Sequence, residues 1–306
     1  MEGVLEGFGV IAIVIAVGFV VAHLKIVGAD SQLMLSRLVF FVASPALLFE
    51  VLADVDAVAV LSSGLTVAVA SFAVAAVIAI AFSRYVWAMS RGDTTIATMC
   101  AGYVNAGNLG IPIAVYALGD ASAVASVMLF QMIVVSPAAF LVLDQDSMGK
   151  RLSFSAVVTS PFRNPITLGA LLGLFVAIIG WQPPTFVDGP IEMIAGMAVP
   201  GMLIAYGVSL RLGPRPGNGA PRTQVAVVAA LKLIVQPTCA YMIGLLLGLE
   251  GAALMAVTVV AALPTAQNIF VHATRYGRSP LLARDSIFVT TILSVPVVLL
   301  IVALLS

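Results

Sequence analysis

Residues 100–120 read CAGYVNAGNLGIPIAVYALGD, an apolar run interrupted near its middle by Asn105, Gly107, Asn108, Gly110 and Pro112. Glycine and proline weaken a helical ladder and release carbonyl and N–H groups that hydrocarbon cannot satisfy. Inside a membrane such a backbone persists only where protein or a watery cavity covers it. A membrane setting follows from the chain as a whole. Its 306 residues are 61% hydrophobic and 9% charged, with a mean hydropathy of +1.15. A soluble domain is about half apolar and about a quarter charged, so too few charges remain here to cover a soluble surface. The lipid bilayer is the expected partner, and zero net charge gives no reason to expect nucleic acid.

The expectation is an all-α integral membrane protein with ten transmembrane helices. At about 20 apolar residues per crossing, spans fall near 6–27, 36–53, 58–83, 94–117, 121–143, 165–181, 190–210, 225–249, 252–274 and 284–305. These runs are too long and continuous for transmembrane strands. The first carries Glu2 and Glu6 but no Lys or Arg until Lys25, so it is read as a span rather than a secretory signal.

Thirteen of the fourteen basic residues fall in the odd-numbered loops: Lys25 and Arg37; Arg84 and Arg91; Lys150, Arg151 and Arg163; Arg211, Arg215 and Arg222; Arg275, Arg278 and Arg284. The even-numbered loops and the N-terminus hold Glu2, Glu6, Asp54, Asp56, Asp120, Asp188 and Glu250 instead. The odd loops are therefore expected in the cytoplasm, with both termini outside.

Prolines suggest an internal duplication. Pro45 pairs with Pro200, Pro112 with Pro264 and Pro137 with Pro296, each pair separated by about half the chain. Five spans per half is an odd number, so the second half (164–306) is expected upside down relative to the first (1–143), with 144–163 as a cytoplasmic linker. Inverted repeats of this kind occur in secondary transporters, whose substrate sites lie near the bilayer midplane.

The counterpart of the opening stretch is VVAALPTAQNIFVHATRYG, with Pro264, Thr265, Gln267 and Asn268 at the matching place. Two broken helices crossing there would present helix N-termini, whose partial positive charge suits a carboxylate. Asn105, Gly107, Asn108, Gly110, Pro112, Pro264, Thr265, Gln267 and Asn268 are the candidate substrate-binding residues; the alternative is that they form ordinary kinks. Lys232, Gln236 and Gln131 are candidates for coupling or charge compensation. Lys232 lies about 12 Å into its span, and the alternative for it is an ammonium snorkelling back to the cytoplasmic face. On the functional reading, Arg should replace it better than Gln. For Gln131 a helix–helix hydrogen bond is an equal alternative. Glu50 reads as interfacial and His272 as structural. Cys100 and Cys239 lack any ligand spacing and read as small core residues. No nucleophile–base pair, metal cluster or phosphate loop points to an enzyme or a cofactor. Spans 3–5 and 8–10 hold no central carboxylate, which puts proton coupling in doubt and leaves Na+, H+ or no coupling ion open.

NAGNLGIPI at 105–113 and LPTAQNIFVHATRYG at 263–277 resemble the auxin efflux carrier family, as do MAVPGMLIAYGVSL at 197–210 and LKLIVQP at 231–237. The resemblance spans essentially the whole chain. Bacterial members of that family include malate and malonate permeases. It implies a scaffold of spans 1, 2, 6 and 7, a transport domain of spans 3–5 and 8–10 with crossing spans 4 and 9, elevator-like movement of a small organic anion, and, by analogy, a homodimer through the scaffold in the bacterial inner membrane. The plan is shared with sodium symporters of the bile-acid type, which remain an alternative. A channel, or a receptor that binds without transporting, is the alternative from a different class.

Overall fold

Proline disturbs a helix by removing an N–H and by pressing its ring against the carbonyl four residues back. In three helices of this protein that disturbance is absorbed by one widened turn. The computed structural model describes residues 2–53, 63–110, 113, 122–148, 165–212 and 219–305. Within it, π turns at Val39–Ala43, Gln131–Val135 and Leu231–Val235 each end two residues before a proline (Pro45, Pro137 and Pro237). The carbonyls that the rings would strike belong to Phe41, Ile133 and Leu233, the middle residue of each turn. A π turn lets the backbone detour around the clash.

The helices in chain order are α1 (Glu2–His23), α2 (29–53), α3 (Ser63–Val86), α4 (Arg91–Gly102), α5 (122–148), α6 (Pro165–Ile179), α7 (Thr185–Leu212, with a turn at 196–197), α8 (Arg222–Leu246), α9 (Gly251–Ala262), α10 (Asn268–Tyr276) and α11 (Pro280–Leu305). Among the described residues the fold is all-helical, with one isolated antiparallel β-bridge, Val104–Thr265. Five segments of the described residues are long and apolar enough to cross a membrane: Ser63–Val86, Ser126–Asp146, Thr185–Leu212, Arg222–Leu246 and Pro280–Leu305. Shorter apolar helices cover Ala12–His23, Phe41–Ala53, Leu168–Ile179 and Gly251–Ala262. Their outward faces are greasy: Val77 and Ile178 are each 66% exposed and Leu246 84%. So continuous an apolar surface belongs in lipid rather than water.

Several helix ends differ from the expected spans. α2 begins at Ala29 rather than 36, because ADSQLMLSRL is helical though polar, with Asp30 in its first turn favouring the N-terminal dipole. Arg37 is therefore on a helix and not in a loop. α11 begins at Pro280, a residue pre-shaped for a first helical position, so Arg284 also lies inside a helix. The expected span 94–117 instead ends its regular helix at Gly102. Pro112, Asp54, Asp56, Asp120, Lys150, Arg151, Arg163, Arg215 and most of the linker lie outside the described residues.

α1 packs along α7, and α6 along α2. Glycines set both contacts. A Cβ at Gly18 would strike the Ile204 carbonyl and one at Gly207 the Ile15 carbonyl, while Gly169 and Gly173 face the carbonyls of Pro45 and Phe49 in the same way. Small residues allow this backbone approach between helices in lipid. Elsewhere α3 packs on α4, α5 and α8, α8 on α9, and α9 on α11. These helices surround the interruption between α4 and α5 and the one between α9 and α10.

Candidate functional site

The two interrupted segments cross. Leu263 precedes a proline, which disfavours helical backbone, and it is extended at φ −57°, ψ 148°, ending α9. Tyr103 is extended at φ −82°, ψ 107°, ending α4. The strand-like residues pair antiparallel: the Asn105 N–H donates to the Pro264 carbonyl (2.9 Å) and the Ala266 N–H to the Tyr103 carbonyl (3.2 Å). The bridge residues find side-chain partners. The Val104 N–H donates to Gln131 Oε1 at 2.6 Å, and Gln131 Nε2 donates to the Val104 carbonyl at 3.1 Å. Opposite, the Thr265 N–H donates to Thr290 Oγ1 at 3.1 Å, and Thr265 Oγ1 donates to the Cys100 carbonyl at 2.6 Å. Unwound backbone is held here by side chains of α5 and α11 in place of water.

Lys232 sits behind this crossing. It is fully buried at 0% exposure, so its ammonium does not snorkel to the surface. Nζ donates to the Ala261 carbonyl (2.7 Å) and to Gln236 Oε1 (2.6 Å), while Gln236 Nε2 donates to the Gly102 carbonyl (2.9 Å). Gly102 and Ala261 lie at the C-terminal ends of α4 and α9. The negative end of the α9 dipole thus falls on the ammonium, and that of α4 on the amide of Gln236, the ammonium's partner. Among the described residues no carboxylate forms an ion pair with it.

A cavity lies against the crossing, about 610 Å³ of empty space with the open solvent in it included. Asn105, Gln267 and Asn268 face it from the crossing, and Ser44 and Met202 face it from α2 and α7. Asn268 is the first residue of α10, so the partial positive charge of that N-terminus falls on the cavity. Asn268 Oδ1 is buried without a hydrogen-bond partner among the described residues. None of the described lining residues is charged. An arrangement of amides and a helix N-terminus can hold a carboxylate by hydrogen bonds without a fixed counter-charge.

The candidate residues divide by this geometry. Asn105, Gln267 and Asn268 line the cavity, as does Gly107, around whose missing side chain there is open space. Asn108 lies in the π turn Ala106–Gly110, its side chain outside the described set. Gly110 instead faces Leu263 and Val124, and Thr265 is fully buried and spends its hydroxyl on Cys100. Pro264 contributes the break and a carbonyl. Gln131 touches the cavity, but its amide is committed to Val104. Lys232 and Gln236 do not line the cavity. His272 is buried edge-on against Phe140, with ring centroids 4.8 Å apart.

Two features escaped the reading of the sequence. Arg284 and Asp285 form a buried ion pair in α11, at 2% and 1% exposure and 2.6 Å, although neighbouring charges look like a loop. Tyr103 bridges to Ser136, its hydroxyl 3.0 Å from Ser136 Oγ; a tyrosine beside the NAGNLG run was the available signal.

The fold and the site together define a multi-pass membrane protein whose centre is a pair of broken, crossing helices. The chain belongs to the membrane transport protein family, whose profile matches residues 8–302. It is 27% identical over 306 residues to a Rhizobium meliloti (strain 1021) protein described as "Putative malonate transporter", covering 96% of this chain and 92% of that one. An "Uncharacterized transporter" of Methanothermobacter thermautotrophicus is 26% identical over 294 residues, covering 93% and 92%. Auxin efflux carrier component 6 of Arabidopsis thaliana is 31% identical over 160 residues, covering 51% of this chain and 28% of that protein. The auxin efflux carrier resemblance thus holds, and the family is one of transporters rather than enzymes.

Proposed function

We propose that this protein is a carrier that moves a small organic anion, a mono- or dicarboxylate, across the bacterial inner membrane by elevator-like alternating access. The observation that carries the reading is the uncharged cavity at the crossing, where Asn105, Gln267, Asn268 and the N-terminus of α10 converge. The name of the Rhizobium meliloti relative favours malonate as the first substrate to try. In this reading ten spans form two inverted five-helix repeats, 1–143 and 164–306, joined by 144–163, with both termini outside. The glycine-mediated contacts of α1 with α7 and α6 with α2 support a scaffold of spans 1, 2, 6 and 7, through which two copies would pair. Spans 3–5 and 8–10 would move together. The Lys232 ammonium holds the Ala261 carbonyl, and its partner Gln236 holds that of Gly102; a Na+ ion would otherwise seek these oxygens. This favours proton coupling or uniport over the sodium-coupled alternative.

Purified protein in proteoliposomes should show saturable counterflow of radiolabelled malonate, independent of sodium. Unsaturable flux would mean a channel, binding without uptake a receptor, and a strict sodium requirement the bile-acid type of symporter.

A further inference from the structure

A second cavity lies away from the crossing, on the outer face between α3, α4 and α5. It is an open groove of about 1,040 Å³, and its walls are apolar: Phe72, Ala76 and Ile80 of α3, Met99 of α4, Phe130 and Val134 of α5. Its composition changes sharply at one end. Arg84 and Arg91 stand there, both exposed, and among the described residues no acidic one lines the groove. Arg84 donates through one nitrogen to the Met89 carbonyl at 2.6 Å, which leaves the rest of its fork available. By the charge distribution of the loops this is the cytoplasmic end.

Just inside the arginines, Thr94 and Thr98 line the groove from the same face of α4, one turn apart. Thr94 is 7% exposed, and the Oγ1 atoms of both threonines are buried without a hydrogen-bond partner among the described residues. Buried hydroxyls are normally satisfied, so two orphans beside one groove, each brought to it by a χ1 turn, point to an absent acceptor. From Arg84 down to Phe72 is twelve residues of α3, about 18 Å at 1.5 Å per residue. That is close to the depth of one leaflet, half of a hydrocarbon core about 30 Å thick.

We propose that this groove binds one anionic glycerophospholipid of the cytoplasmic leaflet. Its phosphate sits between Arg84 and Arg91, an ester carbonyl accepts from Thr94 or Thr98, and an acyl chain lies along Phe72, Met99 and Val134. Cation, hydroxyl and apolar wall follow one another in the order of phosphate, ester and chain. A free fatty acid would use the arginines but leave the threonines orphaned.

Native mass spectrometry of the full chain in detergent, titrated with dioleoylphosphatidylglycerol, dioleoylphosphatidylcholine or oleate, tests this directly. The phosphatidylglycerol should be held several-fold more tightly than the phosphatidylcholine. An Arg84→Gln/Arg91→Gln double variant should weaken it roughly thirty-fold with no change in melting temperature. Thr94→Val/Thr98→Val should weaken both phospholipids but not oleate. Equal retention of the two phospholipids, or wild-type retention of phosphatidylglycerol by the arginine variant, would overturn the site. Oleate bound as tightly as phosphatidylglycerol and insensitive to the threonines would make it a fatty-acid groove and overturn the glycerophospholipid assignment.

Discussion

Replacing Lys232 by Met removes a charge while keeping a long unbranched side chain, so it separates what the ammonium does for the fold from what it does for transport. The change deletes two hydrogen bonds, 2.6 and 2.7 Å long. Bonds from a charged donor contribute about 1.5–3 kcal/mol each, so about 3–6 kcal/mol is lost. In the opposite direction, burying an ion without a counter-ion costs several kcal/mol, and that cost disappears with the charge. The two effects nearly cancel. Lys232→Met should therefore melt within about 5 °C of wild type, at about 2 °C per kcal/mol for a chain of this length. Transport should respond quite differently. The carbonyl end of α9 would lose its cation, Gln236 on the carbonyl end of α4 would lose its partner, and the crossing should lose its working geometry. Malonate counterflow should fall at least tenfold. Differential scanning fluorimetry and proteoliposome counterflow across a pH series measure the two quantities on one preparation. A wild-type rate with an unchanged pH profile would refute a coupling or charge-compensating role. A melting temperature lower by more than about 15 °C would refute the cancellation.

Asn105→Ala and Asn268→Ala should each weaken malonate binding by about ten- to a hundredfold, from one lost hydrogen bond to a carboxylate, with little change in melting; ligand-induced thermal shifts would read this, and normal shifts in both would make the amides structural. Gly207→Leu should be destabilising by about 1–3 kcal/mol or more, because its side chain meets the Ile15 carbonyl across the α1–α7 contact; a wild-type melting temperature would show that the contact yields. In a variant with Cys100 and Cys239 replaced, single cysteines near Asp188 and Glu250 should react with an impermeant maleimide in intact spheroplasts and ones near Arg222 should not; the reverse pattern would invert the orientation.

The sequence made the membrane class and the crossing in span 9 readable, because Leu263-Pro264 breaks a helix by local chemistry alone. Its partner was harder to place. Gly107, Asn108 and Pro112 look like the breakers of span 4, yet the regular helix already ends at Gly102 and the extended residues are Tyr103 and Val104. That position is set by partners distant in the chain, Pro264 and Ala266 across the bridge and Gln131 on α5, none of which a local pattern can reveal. The destination of Lys232 was equally hidden. Length along α8 allows either a surface or a buried ammonium, and the carbonyls of other helices decide between them. Arginine now looks a poor replacement, since a larger planar group must enter a space that has no exposure at all. The Arg284–Asp285 pair shows the same limit: adjacent charges read as a loop until the packing around α11 is known.

Each π turn amounts to a single extra amino acid threaded into an otherwise ordinary helix, and that has a consequence for how this chain tolerates change in length. Gln131 opens one such turn and Lys232 is second in another. Cutting out one residue, such as Ile133 or Leu233, would relax the bulge to a plain turn and leave the two flanks in their present rotational register, because the extra residue is what the wider turn absorbs. The cost would fall instead at the proline, whose ring would again press on the carbonyl four residues back, now that of Met132 or Lys232. Single-codon deletions in these two turns are therefore expected to be borne better than equal deletions in the plain helix beside them, which turn one flank by about 100° against the other.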